Sequence, residues 1–261
     1  MTKRLTIMYF ALASVLALLS ACITSRYRLA WRVRELATAP SPAIHLVAHN
    51  QVMATVDTAT MQKLLLAHFR VTRAAGVQAD LLIVEGNDPN AFAGLVNGRP
   101  TIGINLALLK LIGDDVDEFA SLLGHEAAHL ARGHGGSGRT RSSTLQAIGS
   151  VVGMGLGAAG VPAGGTIAGL AVELIDTAYS REEEREADAL GVGYARSAGY
   201  DPYGAIRFQE KLLRVSGGSL LPFLSSHPSG EERIENLKAL VEGKKSPPSV
   251  EANNEADTGG R

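Results

Sequence analysis

The stretch GHEAAH at residues 124–129 lies inside a run with helical periodicity and contains the pattern H-E-x-x-H. Histidines four positions apart on a helix project from the same face, about one turn apart. His125 and His129 can therefore both reach one Zn²⁺ at roughly 2.0–2.1 Å. Glu126 directly follows the first histidine, where its carboxylate can act as general base toward a metal-activated water. The stretch predicts a helix that carries two zinc ligands and a catalytic carboxylate.

A second stretch, SREEEREAD at residues 180–188, supplies what the first one lacks. A catalytic zinc has three protein ligands and one open position, and H-E-x-x-H provides only two ligands. Glu184 and Asp188 stand four positions apart, so they share one face of a second helix. Glu184 can be the third ligand, and Asp188 can accept a hydrogen bond from the free ring N–H of a ligating histidine. The other glutamates are expected to form a solvated face, as charge runs usually do: Glu182, Glu183 and Glu186.

Four motifs follow one another in a fixed order along the chain. They are H-E-x-x-H, then S-R-x-x-E-x-E-A-D, then A-G-Y-D-P at residues 198–202, then H-P-S-x-x-x-R at residues 227–233. This order resembles metallopeptidase family forty-eight, the HtpX-like and BepA/LoiP-like zinc proteases that are related to CAAX prenyl proteases. The match extends from about residue 80 to about residue 240. The resemblance implies a gluzincin-type fold in which Glu184, His125 and His129 hold one Zn²⁺.

Two other kinds of zinc site fit the sequence less well. A metzincin would need glycine at position 132 and a third histidine at position 135, where this chain has Arg132 and Gly135. A structural zinc site is usually closed by cysteines or by four protein ligands, and the only cysteine of the chain is Cys22, far from these motifs. The sequence therefore favours a hydrolytic site.

Three further polar residues near the motifs are candidates for supporting roles. His227 occupies the H-P position and has three interpretations: a donor to the oxyanion, an occupant of the fourth position on zinc that keeps the enzyme latent, or a histidine that only begins a helix. Arg233 is expected to order that loop or the carboxylates of the site. His134 lies five residues past His129 and cannot share its helical face, so it is expected to support a ligand or to lie at the surface.

The first twenty-two residues have the form of a lipoprotein signal. Lys3 and Arg4 precede an apolar run at residues 5–19, and LSAC at residues 19–22 reads as a lipobox. The apolar run suits a cleaved signal peptide better than a membrane span, which needs ~20 residues; an uncleaved anchor is the alternative. In the bacterial lipoproteins that this segment resembles, the thiol of Cys22 carries the lipid. Ile23 rather than aspartate after the cysteine favours the periplasmic side of the outer membrane.

Composition limits the domain organisation and the partners. The chain has 261 residues, 46% of them apolar, which is enough for one domain with its own core. The net charge is −1 without a basic block, so nucleic acid is not an expected partner. We expect four parts along the chain. Residues 1–21 are a signal peptide, and residues 22–42 hold the lipidated cysteine and a linker with a basic helix at 26–36. Residues 43–243 form the metallopeptidase domain, and residues 244–261 are a disordered tail. The expected fold class is α+β, mainly helical, with a small sheet.

Two segments could shape access to the site. The dipeptide NG at residues 97–98 predicts a hairpin between residues 90–96 and 99–105, whose edge could bind an extended peptide or could be scaffold only. Residues 142–172 carry no charge and are rich in glycine and alanine. We expect them to form a helical hairpin, buried or touching the membrane, rather than a true span. A lid over the cleft remains an alternative.

Together these features predict a lipid-anchored zinc endopeptidase of the cell envelope that hydrolyses peptide bonds. The absence of a recognisable specificity pocket, and the family resemblance, favour unfolded or misassembled envelope proteins as substrates. The alternative is an outer-membrane assembly factor that binds clients, works with assembly machinery and rarely cuts. The presence of Glu126 argues against complete loss of the chemistry.

Overall fold

The computed structural model describes residues 29–48, 51–134, 167–168, 172–174, 179–217, 223–224, 227 and 230–245. The fold is α+β and mainly helical, as predicted. The strands are β1 (Leu29–Arg32), β2 (Ala43–Ala48), β3 (Gln51–Asp57), β4 (Asp80–Val84), β5 (Ala91–Val96), β6 (Arg99–Asn105), β7 (Ile167–Ala168) and β8 (Val172–Leu174). The helices are α1 (Val33–Ala37), α2 (Thr58–Ala74), α3 (Leu106–Ile112), α4 (Val116–Arg132), α5 (Arg181–Ser197), α6 (Gly204–Ser216) and α7 (Glu231–Val241).

The main sheet has six strands in the order β7-β1-β4-β6-β5-β8. β4 and β6 run parallel, and the other neighbouring strands are antiparallel. β5 and β6 form the predicted hairpin, with Asn97 at φ 52° and Gly98 at φ 74° in its turn. β8 pairs with residues 94–96 of β5, so the outer edge of this hairpin is partly covered. β2 and β3 form a separate two-stranded hairpin.

Helix α4 is the centre of the molecule, and its residues 118–130 are all buried. The side chain of Asp115 accepts hydrogen bonds from the backbone N–H groups of Asp117 and Glu118, which caps the first turn. Gly133 ends the helix at φ 60°, in the left-handed region that glycine tolerates best. The helix predicted around the H-E-x-x-H pattern is confirmed. α4 packs against the helices α2, α5 and α6 and against the β5–β6 hairpin of the main sheet.

Helix α5 begins with a capping box. Ser180 Oγ accepts from the backbone N–H of Glu183 at 3.2 Å, and the carboxylate of Glu183 accepts from the backbone N–H of Ser180 at 2.9 Å. Glu183 was expected on a solvated face; its contacts with Ser180 are exposed, and they also cap the start of α5. Glu182 is the exposed member of the run and pairs with Arg185.

Two expectations about secondary structure are overturned. The sequence predicts a helix over residues 26–36, but Leu29–Arg32 forms strand β1, which pairs with β4; in the described part of that stretch the helix begins only at Val33. The buried Trp31 joins the core from this strand, so residues 29–37 belong to the domain rather than to a linker. Tertiary pairing overrides the local helical pattern here.

The uncharged segment 142–172 also differs from the prediction where it can be compared. Residues 167–168 form strand β7 and residues 172–174 form strand β8, the two outermost strands of the six-stranded sheet. The prediction of a helical hairpin is therefore wrong at residues 167, 168 and 172. The rest of that segment lies outside the described residues, as do Cys22, the signal sequence and residues 246–261. No helix in the described ranges is both long enough and apolar enough to cross a bilayer.

Candidate metal centre

Four buried side chains converge at one point between α4, α5 and the segment before α7. His125 and His129 come from α4, Glu184 comes from α5, and His227 precedes α7. Each offers one donor atom, and these atoms all lie within 4.8 Å of one another. The Nε2 atoms of His125 and His129 are 3.0 Å apart, and Nδ1 of His227 is 3.2 Å from Nε2 of His125. Glu184 Oε1 lies 3.4 Å from His129 Nε2.

These distances fit a single zinc ion. Donor atoms on a tetrahedron with bonds of roughly 2.0–2.1 Å are separated by about 3.3 Å. Five of the donor pairs are separated by 2.8 Å, between His227 Nδ1 and Glu184 Oε1, to 3.6 Å, between His125 Nε2 and Glu184 Oε2, and the whole group lies within 4.8 Å. Several ring nitrogens and a carboxylate that face one another in a buried space repel unless a cation or protons lie between them. The donor set of imidazole nitrogens and one carboxylate is the kind that zinc prefers.

Asp188 and Arg233 surround the ligands with charged hydrogen bonds. Asp188 Oδ1 is 3.0 Å from His125 Nδ1, the ring nitrogen on the side away from His129. Arg233 donates to both oxygens of Asp188, through Nε at 2.8 Å and Nη2 at 2.7 Å. Its Nη1 is 2.8 Å from Glu184 Oε2. The sequence predicted both residues near the site, and the structure brings them into one buried network that bridges α5 and α7.

Glu126 is fully buried beside the ligand group. Neither of its carboxylate oxygens has a hydrogen-bond partner among the described residues, and the nearest ionisable nitrogen is His227 Nε2 at 3.5 Å from Oε1. Burial raises the pKa of Glu126, although the charges of His227 and His125 oppose that shift. A buried carboxylate without a partner is costly, and such groups are commonly found where they take part in binding or catalysis.

Burial and charge act in opposite directions on the ligands in the absence of metal. Burial alone would lower the pKa of His125, but the negative charge of Glu184 and a hydrogen bond to Asp188 raise it to about 9. Burial lowers the pKa of His129 well below its usual range. Burial would raise the pKa of Glu184, yet the neighbouring histidines, led by His125, hold it far below its usual value. At neutral pH the metal-free site therefore holds a proton on His125, and metal binding must release it.

Two ring-stacking contacts near the site were not predicted from the sequence, and His134 takes the ligand-supporting position that was one of its two expected places. Tyr179 stacks on His129, with the ring centroids 3.6 Å apart and the planes at 22°. Phe223 stacks on His227 with centroids 4.5 Å apart. His134 contacts both His129 and Glu186. Tyr179 comes directly before the Ser180 cap, and that position is the one signal in the sequence that could have placed it at the ligands.

Comparison with known proteins agrees with this geometry. Residues 55–241 match the model of peptidase family M48. The chain is 32% identical over 171 residues to the mitochondrial metalloendopeptidase OMA1 of Arabidopsis thaliana, covering 66% of this chain and 33% of that protein. It is 26% identical over 163 residues to the metalloprotease LoiP of Escherichia coli (strain K12), covering 62% of this chain and 63% of LoiP.

A third relative is the beta-barrel assembly-enhancing protease of Escherichia coli (strain K12), which is 28% identical over 166 residues, covering 60% of this chain and 33% of that protein. The chain thus spans less than two thirds of the length of each of these relatives. The family match covers well over half of this chain and includes His125, His129, Glu184 and His227. The chain belongs to peptidase family M48, a family of zinc-dependent metallopeptidases.

Proposed function

We propose that this chain is a zinc metalloendopeptidase of the bacterial cell envelope, held at the membrane by a lipid on Cys22. Its substrates are unfolded or misassembled envelope proteins, and its location is the periplasmic side of the outer membrane. The observation that carries the peptidase proposal is the fully buried Glu126, which lacks a hydrogen-bond partner among the described residues, beside four convergent metal-binding side chains. The similarity to proteins named metalloendopeptidase and metalloprotease supports it.

The roles of the residues follow from their positions. His125, His129 and Glu184 hold the zinc, which when bound supplies a Lewis acid that polarises the scissile carbonyl and makes water more acidic. Glu126 accepts a proton from the attacking water and delivers it to the leaving amine, a task suited to a carboxylate whose pKa is raised by burial. Asp188 accepts the Nδ1 proton of His125 and so directs Nε2 toward the metal position.

Arg233 keeps the two carboxylates of this arrangement in place. It is buried, donates to both oxygens of Asp188 and lies 2.8 Å from Glu184 Oε2. Because its single positive charge lies close to both carboxylates, Arg233 limits their mutual repulsion while leaving Glu184 Oε1 toward the histidines. Arg233 is in this proposal a positioning residue and has no contact with substrate.

His227 is proposed to close the fourth position of the metal and to keep the enzyme latent. Its Nδ1 lies 2.8 Å from Glu184 Oε1 and 3.2 Å from His125 Nε2, where an open position would otherwise receive water or a carbonyl oxygen. This arrangement favours the latent interpretation over an oxyanion donor or a histidine that merely starts α7. Displacement of His227 would open the position for substrate.

Proteolysis by the purified full-length chain in detergent, with casein as an unfolded substrate, tests the peptidase proposal. Zinc content is measured for the wild type and for Glu126→Gln. We expect both proteins to hold one zinc per chain. We expect only the protein that keeps Glu126 to cleave casein once His227 has been displaced. Cleavage by Glu126→Gln at the wild-type rate would refute the proposed general base.

A second candidate function is a client-binding assembly factor that rarely cuts, and the position of His227 inside the ligand group favours it. The His227→Ala variant distinguishes the two. A rise in casein cleavage with zinc retained identifies a latent peptidase. Retained zinc and casein binding without cleavage in both proteins would favour the assembly factor. A fall in cleavage from a measurable wild-type rate would instead assign His227 to the oxyanion.

The envelope location rests on the sequence of residues 1–22, and the relative named beta-barrel assembly-enhancing protease adds support. Expression of the wild type and of Cys22→Ser in a bacterial host tests it. We expect the wild type to incorporate labelled palmitate and to sediment with outer-membrane vesicles, and the variant to do neither. Sedimentation of the variant with the membrane would favour an uncleaved anchor over lipidation.

A further inference from the structure

His134 and Glu186 form a chain of contacts that ends on the ligand His129. Nδ1 of His134 lies 3.1 Å from Nδ1 of His129, and Nε2 of His134 lies 3.2 Å from Oε2 of Glu186. His134 is 1% exposed and His129 is fully buried, so water does not compete for the contact between the two rings, whereas the Glu186 end of the chain is partly exposed. Oε1 of Glu186 is 2.7 Å from Nε of Arg132, which fixes the carboxylate from its other side.

One placement of protons satisfies both hydrogen bonds. Nε2 of His129 faces the other metal-binding atoms, so the proton of its neutral ring lies on Nδ1. That N–H then donates to Nδ1 of His134, which must be unprotonated to accept it. The proton of His134 consequently lies on Nε2 and is donated to Glu186. The carboxylate thus sets the tautomer of His134, and His134 sets the tautomer of His129.

The backbone at the end of α4 places His134 where this is needed. A residue five positions past His129 would face away from it if the helix continued. The left-handed Gly133, at φ 60°, turns the chain back, and the N–H of His134 donates to the carbonyl oxygen of His129 at 3.0 Å. The N–H of Gly133 donates to the carbonyl oxygen of Leu130 at 3.2 Å, as in a Schellman motif.

The two histidine ligands are therefore supported in different ways. Asp188 contacts His125 directly. Glu186 instead reaches His129 through a second imidazole, that of His134. A ligating histidine usually gives its free N–H to a carboxylate, a carbonyl or water, and loss of that partner typically lowers metal affinity 10–100-fold.

We propose that His134 and Glu186 are a pair of positioning residues that fix the tautomer and ring orientation of His129 and so raise the zinc affinity of the site. This inference rests on the proposed role of His129 as a zinc ligand. The sequence placed Glu186 on a solvated face. In this proposal Glu186 has a function, and that function depends on His134.

Zinc affinity of the full-length protein, measured by competition with a chromophoric chelator, tests the pair. The variants are His134→Phe, which keeps a ring but no nitrogen, Glu186→Ala, Glu186→Gln and the double variant His134→Phe/Glu186→Ala. We expect His134→Phe to lose 10–100-fold in affinity and Glu186→Ala to lose about 10-fold. Because Glu186 acts through His134, we expect its substitution to have no further effect in the His134→Phe background. Glu186→Gln, which keeps an acceptor oxygen, should recover part of the affinity.

The same proteins loaded with Co²⁺ give a readout that general destabilisation would not change. A turned or re-protonated His129 should shift the visible absorption bands in His134→Phe and Glu186→Ala and leave them unchanged in Glu182→Ala, a control on the exposed face of the same helix. Glu186 is itself partly exposed, so its variants test the pair even if His134→Phe fails to fold.

Three results would overturn the inference. The first is a zinc affinity of Glu186→Ala within twofold of that of the wild type. The second is that Glu186→Ala lowers the zinc affinity equally in the wild-type and His134→Phe backgrounds. The third is that the Co²⁺ absorption bands of His134→Phe and Glu186→Ala match those of the wild type. Zinc binding without casein cleavage in both the wild type and His227→Ala would remove the peptidase function and leave the pair standing. Zinc affinity that His129→Ala does not reduce would remove the pair, whatever the activity.

Discussion

Gly124 of helix α4 lies directly against Gly191 of helix α5, so the two helices that carry the metal-binding residues touch through their backbones. A Cβ atom on Gly124 would lie 2.6 Å from the carbonyl oxygen of Gly191, and a Cβ atom on Gly191 would lie 2.8 Å from the backbone N of His125. Side chains essentially never approach a backbone so closely, so only glycine fits at either position. The close crossing brings Glu184 and Asp188 within reach of His125.

The first prediction concerns this crossing. Gly191→Ala should push α5 away from α4, because the new methyl group would meet the backbone of Gly124 and His125 rather than a flexible side chain. We expect a loss of about 1–3 kcal/mol in the free energy of unfolding and weaker zinc binding. Gly193→Ala is the matched control, since no atom lies within 4 Å of its added Cβ, and it should be neutral or stabilising by up to ~1 kcal/mol. Equal midpoints of urea unfolding for the two variants would contradict the prediction.

The second prediction concerns the removal of zinc. Chelation should lower the melting temperature, because the free energy of metal binding to the folded state is lost and the ligands are left facing one another. At a free zinc concentration 1,000 times the dissociation constant, the lost stabilisation is about 4 kcal/mol, or roughly 10 °C for a domain of this size. Trp31, the only tryptophan and fully buried, reports unfolding by its fluorescence. The chelator should leave the midpoint of His125→Ala unchanged; an equal shift in that variant would show an effect unrelated to the site.

The third prediction concerns the buried cation of the site. Arg233→Met should leave the carboxylates of Glu184 and Asp188 buried and without their guanidinium partner. We expect a loss of about 3–5 kcal/mol in the free energy of unfolding, as for other buried ion pairs from which one partner is removed. Lys238→Met on the same helix removes a cation that is half exposed and 4.0 Å from Glu210, and should change stability by less than ~1 kcal/mol. Urea unfolding with zinc present measures both.

The fourth prediction is a dependence on pH at the start of α4. Burial would raise the pKa of Asp115, but its hydrogen bonds with Arg207 and with the first turn of the helix lower it below 3.8 overall. A carboxyl group whose pKa is lowered in the folded state contributes stability above its unfolded pKa and loses that contribution as the pH falls through its folded pKa. Asp115→Asn keeps a capping oxygen and removes the charge. It should be less stable than wild type by about 0.5–1 kcal/mol at pH 7.

That difference should shrink below pH 3.8 and vanish once the wild-type carboxyl is protonated. Urea unfolding at pH 7 and at several values between pH 4 and pH 2.5 measures it. Asp114→Asn, one residue earlier and exposed, serves as the control for a change of one surface charge. A difference between Asp115→Asn and wild type that stays constant down to pH 2.5 would mean that shape, not charge, sets the contribution.

Local signals in the sequence were sufficient for the two helices that carry the candidate ligands, α4 and α5. The H-E-x-x-H spacing, the Asp115 cap and the Gly133 stop together define α4, and the NG turn defines the β5–β6 hairpin. Each of these signals depends on residues within a few positions of one another. The same holds for the four-residue spacing of Glu184 and Asp188 on α5.

Features that depend on distant parts of the chain could not be derived in this way. Leu29–Arg32 has a pattern that suits a helix, yet it pairs with β4, more than fifty residues later. The contact between Gly124 and Gly191, and the contact between His134 and Glu186, arise only when α4 and α5 pack together. Glu183 and Glu186 look alike in a charge run, and only the three-dimensional arrangement separates a capping residue from a neighbour of His134.

The metal-binding residues come from widely separated parts of the chain, since His125 and His227 are 102 positions apart and Arg233 follows later still. During synthesis, the helix with the H-E-x-x-H pattern therefore emerges long before His227 and before Arg233, the cation beside Glu184 and Asp188. A chain that stalls before α7 would carry Glu184 and Asp188 without their cation, and it would hold metal poorly. The charges that surround the metal-binding residues can thus be balanced only after nearly the whole domain has been made.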